Sequence, residues 1–275
     1  MSLLAKMETA AAGRVPLWLD DACYSAALLA GGSPPWSEAS EYGAWRRRAQ
    51  SLLRSDVAMF PLQSASIAWL CSHPQRTAML RVKRRPLLPL KTLLADVELR
   101  AHLTELLGAL RGASAELPLV LSCPLPGAFA ATVFHAAFGE SCEIDEDDAD
   151  SASVYLADML RVFGDIGVDG VLLGQTSDVI DAPLDAVCQP IFNLAAHYRW
   201  EIGRLQPPHY PVDGLAFVVS APPTHPAIPT GTVVDAAFWT QATTDAPAAG
   251  AFLYAEIPAT LAPETVLSRL DVLRR

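Results

Sequence analysis

A single (β/α)8 barrel is the fold class this chain predicts, and three observations carry that reading. First, eight apolar segments of strand length begin near residues 15, 56, 78, 117, 168, 215, 232 and 252, most of them separated by stretches of helical periodicity. No linker divides the chain, so residues 1–275 are expected to form one domain that can depart from the regular barrel, with residues 1–14 a flexible lead-in. Second, residues 151–176 (SASVYLADMLRVFGDIGVDGVLLGQT) read as helix, tight turn and buried strand. Such a step feeds a parallel sheet covered by helices. Third, the competing doubly wound sheet wants a glycine-rich phosphate turn after an early strand, and Gly31-Gly32 supplies no GxGxxG.

Taken in order, residues 15–19 (VPLWL) predict the first strand, with Asp20 and Asp21 at its carboxyl end. After the breakers of 31–35, Ser37 or Ser40 can cap a helix that turns Tyr42, Trp45, Ala49, Leu52 and Leu53 inward. Arg46, Arg47 and Arg48 then fall on its solvated side. Residues 56–60 predict the second strand, stopped by Pro61, with Gln63 and Ser64 just beyond. Residues 78–82 predict the third, and 81–85 an exposed basic connection. A helix follows over 92–111, and then an apolar strand over 117–123 that runs into Pro124. Residues 128–138 predict a helix, and the acidic run 143–150 a solvated linker. Leu156, Met159, Leu160 and Phe163 recur at helical spacing before the strand 168–173, the fifth of the barrel, with Gln175 at its mouth. Residues 183–205 predict a helix interrupted at Pro190. Strands are then expected over 215–220, within 232–239 and over 252–257, and a last helix begins at Pro263.

Composition excludes several classes. Hydrophobic residues make up 51% of the chain and the mean hydropathy is +0.25, which rules out disorder and permits a homodimer. The net charge of −10 opposes nucleic acid and anionic lipid as partners. No apolar run spans a bilayer, and the first residues lack the long hydrophobic region of a secretory signal, so a cytoplasmic location is expected. Five scattered cysteines without a CxxC pair predict reduced thiols and no metal site.

Three segments, LVLSCPLPGAFAATVF, IGVDGVLLGQT and FLYAEIPATLAPETVLSRLDVLRR, resemble the uroporphyrinogen decarboxylase superfamily. That superfamily includes barrel methyltransferases related to cobalamin-independent methionine synthase. The resemblance implies a barrel that binds a small organic molecule at the carboxyl ends of its strands, with methyl transfer as the leading chemistry. The decarboxylase's aspartate after the second strand is replaced by Leu62 or Gln63, and the glycine-histidine-glycine near its last strand by Tyr254-Ala255-Glu256. Porphyrinogen decarboxylation is therefore not expected. Nor is there a His-x-Cys of the zinc-dependent methyltransferases.

Position at strand ends selects the candidate site. Asp20 and Glu256 are the expected acid or base, if burial moves a carboxyl toward neutrality. Gln63, Cys123, Gln175 and Ser220 are expected to touch ligand, and Trp239 to supply an aromatic wall. The sequence specifies no cofactor. The alternative is a non-catalytic binding or assembly protein on a degenerate enzyme barrel.

Overall fold

A computed structural model describes residues 1–174, 187–206, 213–221, 228–240 and 248–275. Eight parallel strands follow one another around a barrel. They are β1 (Leu17–Asp20), β2 (Ala58–Pro61), β3 (Leu119–Cys123), β4 (Gly170–Leu173), β5 (Glu201–Leu205), β6 (Leu215–Ser220), β7 (Thr230–Val233) and β8 (Phe252–Glu256). Hydrogen-bonded neighbours run from β2 through to β8 and then to β1, which leaves one seam, between β1 and β2. The expected (β/α)8 fold is thus present, and among the described residues no helix is long and apolar enough to cross a membrane.

Side chains close the seam where strand pairing does not. The Asp56 amide donates to the Leu17 carbonyl at 2.9 Å, and the Leu17 amide donates to Asp56 Oδ2 at 2.7 Å. One step on, the Leu19 amide donates to Ser55 Oγ at 3.1 Å. Arg14 holds the same carboxylate with both terminal nitrogens, at 2.6 and 2.7 Å. Asp56 and Ser55 therefore stand in for the ladder a second strand would supply, and satisfy buried amides that would otherwise be costly.

Period-two alternation sorts the strand residues into two faces. Leu17, Leu19, Phe60, Leu119, Leu121, Cys123, Val171 and Leu173 point out against the helices. Trp18, Met59, Val120, Leu172, Phe217, Val219, Phe252 and Tyr254 point in and fill the lumen. Trp18 is its centre, with ring centroids 5.8 to 6.0 Å from Tyr254, Phe217 and Phe252. Rings of this size fit only because neighbouring strands give way: a Cβ on Gly203 would strike Phe217, and one on Gly231 would strike Phe252. Alternating small and large lumen residues is the packing solution of a narrow barrel.

Several expectations are corrected here. The lead-in of residues 1–14 contains a helix, α1 (Leu3–Ala11), capped by Ser2, whose Leu3 and Met7 belong to the lumen cluster. Lys6 of the same helix pairs with Asp169, just ahead of β4. The strand expected over 78–82 is helical: Pro74 opens α5 (Pro74–Leu80), following α4 (Leu62–Ser72). The helix over 92–111 is two, α6 (Leu88–Leu94) and α7 (Val97–Ala113), because the Asp96 side chain accepts from the Glu98 and Leu99 amides and restarts the chain.

The acidic run is no linker beyond Asp145. Asp145 caps α9 (Glu146–Leu160), which follows α8 (Pro126–Phe138), and Glu146, Asp147 and Asp148 form its first turn. Negative charge there complements the helix dipole, each residue contributing about 0.3–1 kcal/mol. β4, read as the fifth strand, is the fourth. The helix expected over 183–205 is described only as α10 (Gln189–Tyr198). It ends at Arg199, which adopts φ 60°, and the chain turns into β5. The start of the expected helix, at Pro183, lies outside the described residues.

Two further helices complete the frame around the first strand. They are α2 (Ala22–Leu29), directly after β1, and α3 (Ala39–Leu53), which packs along α7. Arg46 of α3, expected on a solvated face, is 6% exposed, and it is buried because Asp21 is buried beside it. Their contact is a two-pronged ion pair, Nη1 to Oδ2 at 3.1 Å and Nη2 to Oδ1 at 3.0 Å. The chain closes with α11 (Pro263–Leu273), packed on a short 3-10 turn, Ala236–Trp239.

Candidate functional site

The carboxyl ends of β1 and β8 lie side by side, and their register pairs Trp18 with Tyr254 and Asp20 with Glu256. All four fall on the lumen face by alternation. Aromatic residues fill the lower level, and Asp20 and Glu256 stand side by side in the next one. Tyr254 links the two levels, its Oη donating to Asp20 Oδ2 at 3.2 Å. A cavity of about 390 Å³ opens beside this pair, lined by Leu205, Gln206, Val233, Asp235, Tyr254 and Glu256.

The electrostatics of the corner follow from burial and like charge. Desolvation, with help from Asp21 and then Glu256, raises the Asp20 carboxyl to about 6, against the smaller lowering effect of the Tyr254 hydrogen bond. Burial, and then the Asp20 charge, holds the Tyr254 hydroxyl well above its ordinary value, so it stays a donor. The Cys23 thiol is also raised, by burial and then by Asp20 and Glu256, which makes it a poor nucleophile.

The raised Asp20 carboxyl has a stability consequence with a definite sign. In the unfolded chain it ionises near 3.8, whereas in the fold it keeps its proton up to about 6. The native state therefore binds more protons between those values, and stability falls as pH rises through the window. Asp20→Asn keeps an acceptor for Tyr254 and has no charge. Urea unfolding should find it as stable as the parent near pH 4 and more stable by about 1–3 kcal/mol at pH 7.5. An equal effect at both pH values would show that the carboxyl is not strained at neutrality.

Of the residues selected from sequence, the structure brings Asp20 and Glu256 together. Gln63 is buried in the first turn of α4, at the carboxyl end of β2. Cys123 is not at the mouth: it faces the helical layer with Leu119 and Leu121, and burial pushes its thiol up to about 12. Ser220 also faces outward, since Phe217 and Val219 of the same strand take the lumen side and its register partner is Thr232. Trp239 is fully buried among Leu253, Val266 and Leu270, in the layer outside the barrel, so it walls no ligand site. Gln175 lies outside the described residues.

Tyr254 was missed as a site residue, although the signal was present. Alternation along FLYAEI puts it on the same face as Glu256. Among the described residues no group of three His, Cys, Asp or Glu side chains is arranged to hold a metal ion. No family model matches the chain, and no curated protein matches it.

Proposed function

We propose that the chain is an enzyme barrel that binds a small organic molecule at the carboxyl ends of its strands and moves a proton to or from it through Asp20. One observation carries the reading: a lumen-facing carboxyl raised to about 6 is hydrogen-bonded to a tyrosine that lines an open cavity. A group that titrates near the working pH is suited to both accepting and returning a proton, and such catalysis contributes about 10²–10⁴-fold. Tyr254 fixes the carboxyl's orientation, and Glu256 keeps a second negative charge beside it, which favours the protonated form.

The resemblance to the uroporphyrinogen decarboxylase and methionine synthase barrels supports methyl transfer as the reaction class. In that scheme a nucleophile bound in the cavity gives its proton to Asp20 as it takes a methyl group from a second substrate, whose carrier leaves with the electron pair of the broken bond and takes the proton back from Asp20. Porphyrinogen decarboxylation has no support from the residues at this mouth.

The test is a thermal-shift screen with folates, corrinoids, tetrapyrroles and thiols, followed by turnover assays on the compounds that stabilise. At least one class should raise the melting temperature by mass action. Asp20→Asn should retain binding and lose about a hundredfold or more in turnover. Stabilisation by a compound that both proteins return unchanged would mark the barrel as a binding module. If no class stabilises the protein, the small-molecule reading is wrong.

A further inference from the structure

Helix α8, in the layer outside the barrel, presents a surface that the small-molecule site does not use. From Pro126 to Phe138 it carries no charged side chain. A helix on the outside of a barrel ordinarily bears charge on its outward face, as α7 does with the exposed Glu98 and Glu105. On α8 that face is Ala128, Ala131, Thr132 and His135, spaced so that they share one side of the helix. Thr132 and His135 are exposed and the two alanines half-buried.

Opposite charges stand at the two ends of this helix. At its carboxyl end Arg81 Nε donates to the Ala137 carbonyl, and Arg84 pairs with Glu140, its guanidinium 6.0 Å from the Phe138 ring. Lys83 and Arg85 belong to the same exposed stretch, and neither forms an ion pair among the described residues. Val82, within it, is 74% exposed. At the amino end Ile144 and Ala149 pack against Gly127, where a Cβ would meet them at 3.3 and 3.4 Å. That contact brings in the acidic turn of Glu143, Asp145, Glu146, Asp147, Asp148 and Asp150, none of which is in an ion pair among the described residues. The 13 residues of α8 span about 20 Å, more than twice the screening length of about 8 Å at physiological salt, so the two patches do not neutralise each other.

An uncharged centre with a charged rim is the make-up of a protein–protein interface. The order of the charges selects the partner. A nucleic acid or an anionic lipid surface drawn to Lys83 and Arg85 would meet carboxylates one helix length away, and a polycation would meet the reverse. A partner that fits carries acid and base in the opposite order along the same length. A second copy of this chain, turned about a two-fold axis at Thr132, the middle residue of α8, does so at both ends.

We propose that the outer face of α8 is a homodimer interface in which the two helices pack antiparallel, with Lys83 and Arg85 of each copy against Asp147 and Asp150 of the other. The small side chains along the shared face let the helices approach closely.

A charge exchange tests this, because all four residues are exposed and free of ion pairs within the chain. By sedimentation velocity the parent protein should be a dimer at about 100 μM. The Lys83→Glu, Arg85→Glu variant and the Asp147→Lys, Asp150→Lys variant each bring like charges together at both ends, and each should weaken the dimer by about tenfold or more. The second should do so although its net charge is smaller than the parent's. Mixed together, the two variants pair opposite charges again and should form a heterodimer, which also shows that both are folded. Thr132→Arg, at the axis, should be monomeric alone and with either variant. A monomeric parent at about 100 μM, a dimer that persists undiminished in any of the three variants, or charge variants that fail to pair on mixing would overturn the proposal. A monomeric parent that binds heparin or anionic vesicles through Lys83 and Arg85 would assign the basic patch to a polyanion instead.

Discussion

Arg46→Ala should destabilise the protein by about 3–5 kcal/mol, the largest loss expected from any single change at the mouth. The substitution removes both hydrogen bonds to Asp21 and leaves a carboxylate, 4% exposed, without its counter-charge. The fork geometry matters as well as the charge. Arg46→Lys offers a single ammonium in place of two parallel donors and should recover only part of the loss. The double variant Asp21→Asn, Arg46→Met should be milder than Arg46→Ala, because no charge is then left buried. Equilibrium urea unfolding of the four proteins decides the point. A loss below about 1 kcal/mol for Arg46→Ala would mean that Asp21 finds water in the native state.

Asp56→Ala should cost about 2–4 kcal/mol and should act locally on the barrel seam. Asp56 accepts from the Leu17 amide and from Arg14, where β1 and β2 share no strand ladder. Losing it strands a buried amide and frees the first turn of β1 from its neighbour. Hydrogen exchange should quicken at Leu17 and Leu19 before it does at Val120 or Val171, which lie in continuous ladders. Asp56→Asn retains an acceptor for Leu17 without the ion pair and should fall between. Uniform acceleration across all eight strands would show that the seam is no weaker than the rest of the barrel.

How much of this was legible in the sequence depended on whether one residue could signal a change of direction. β1, β3, β4, β6 and β8 are short apolar runs ended by polar or breaker residues, and periodicity found them. β5 did not declare itself. EIGRL carries two charges and a glycine, and Leu194, Tyr198, Ile202 and Leu205 continue a helical spacing straight through it. The break falls at Arg199, a left-handed residue that is neither Gly nor Asn, so nothing in the residue type announces it. Pro74, by contrast, was a readable helix start that the apolar run after it obscured.

The site shows the same limit at smaller scale. Position at a strand end was enough to select Asp20 and Glu256, but it does not say which face a residue takes. Cys123 and Ser220 sit one step out of phase with the lumen, and counting by twos from Val120 and Val219 places them outside. The burial of Arg46 could not be read from its own helix. It exists because Asp21, on a separate element, needs a partner in the space between them.

The N-terminal helix has a consequence for kinetics. With Leu3 and Met7 lodged among the lumen side chains, and Lys6 tied to Asp169, the barrel is stoppered at its base. The cavity lies at the other end, where Tyr254 and Glu256 line it. On the enzyme reading proposed above, reactant and product share the mouth at the carboxyl ends of the strands, so a product that lingers there excludes the next reactant. Inhibition by product should therefore be competitive with the substrate that leaves its place to it.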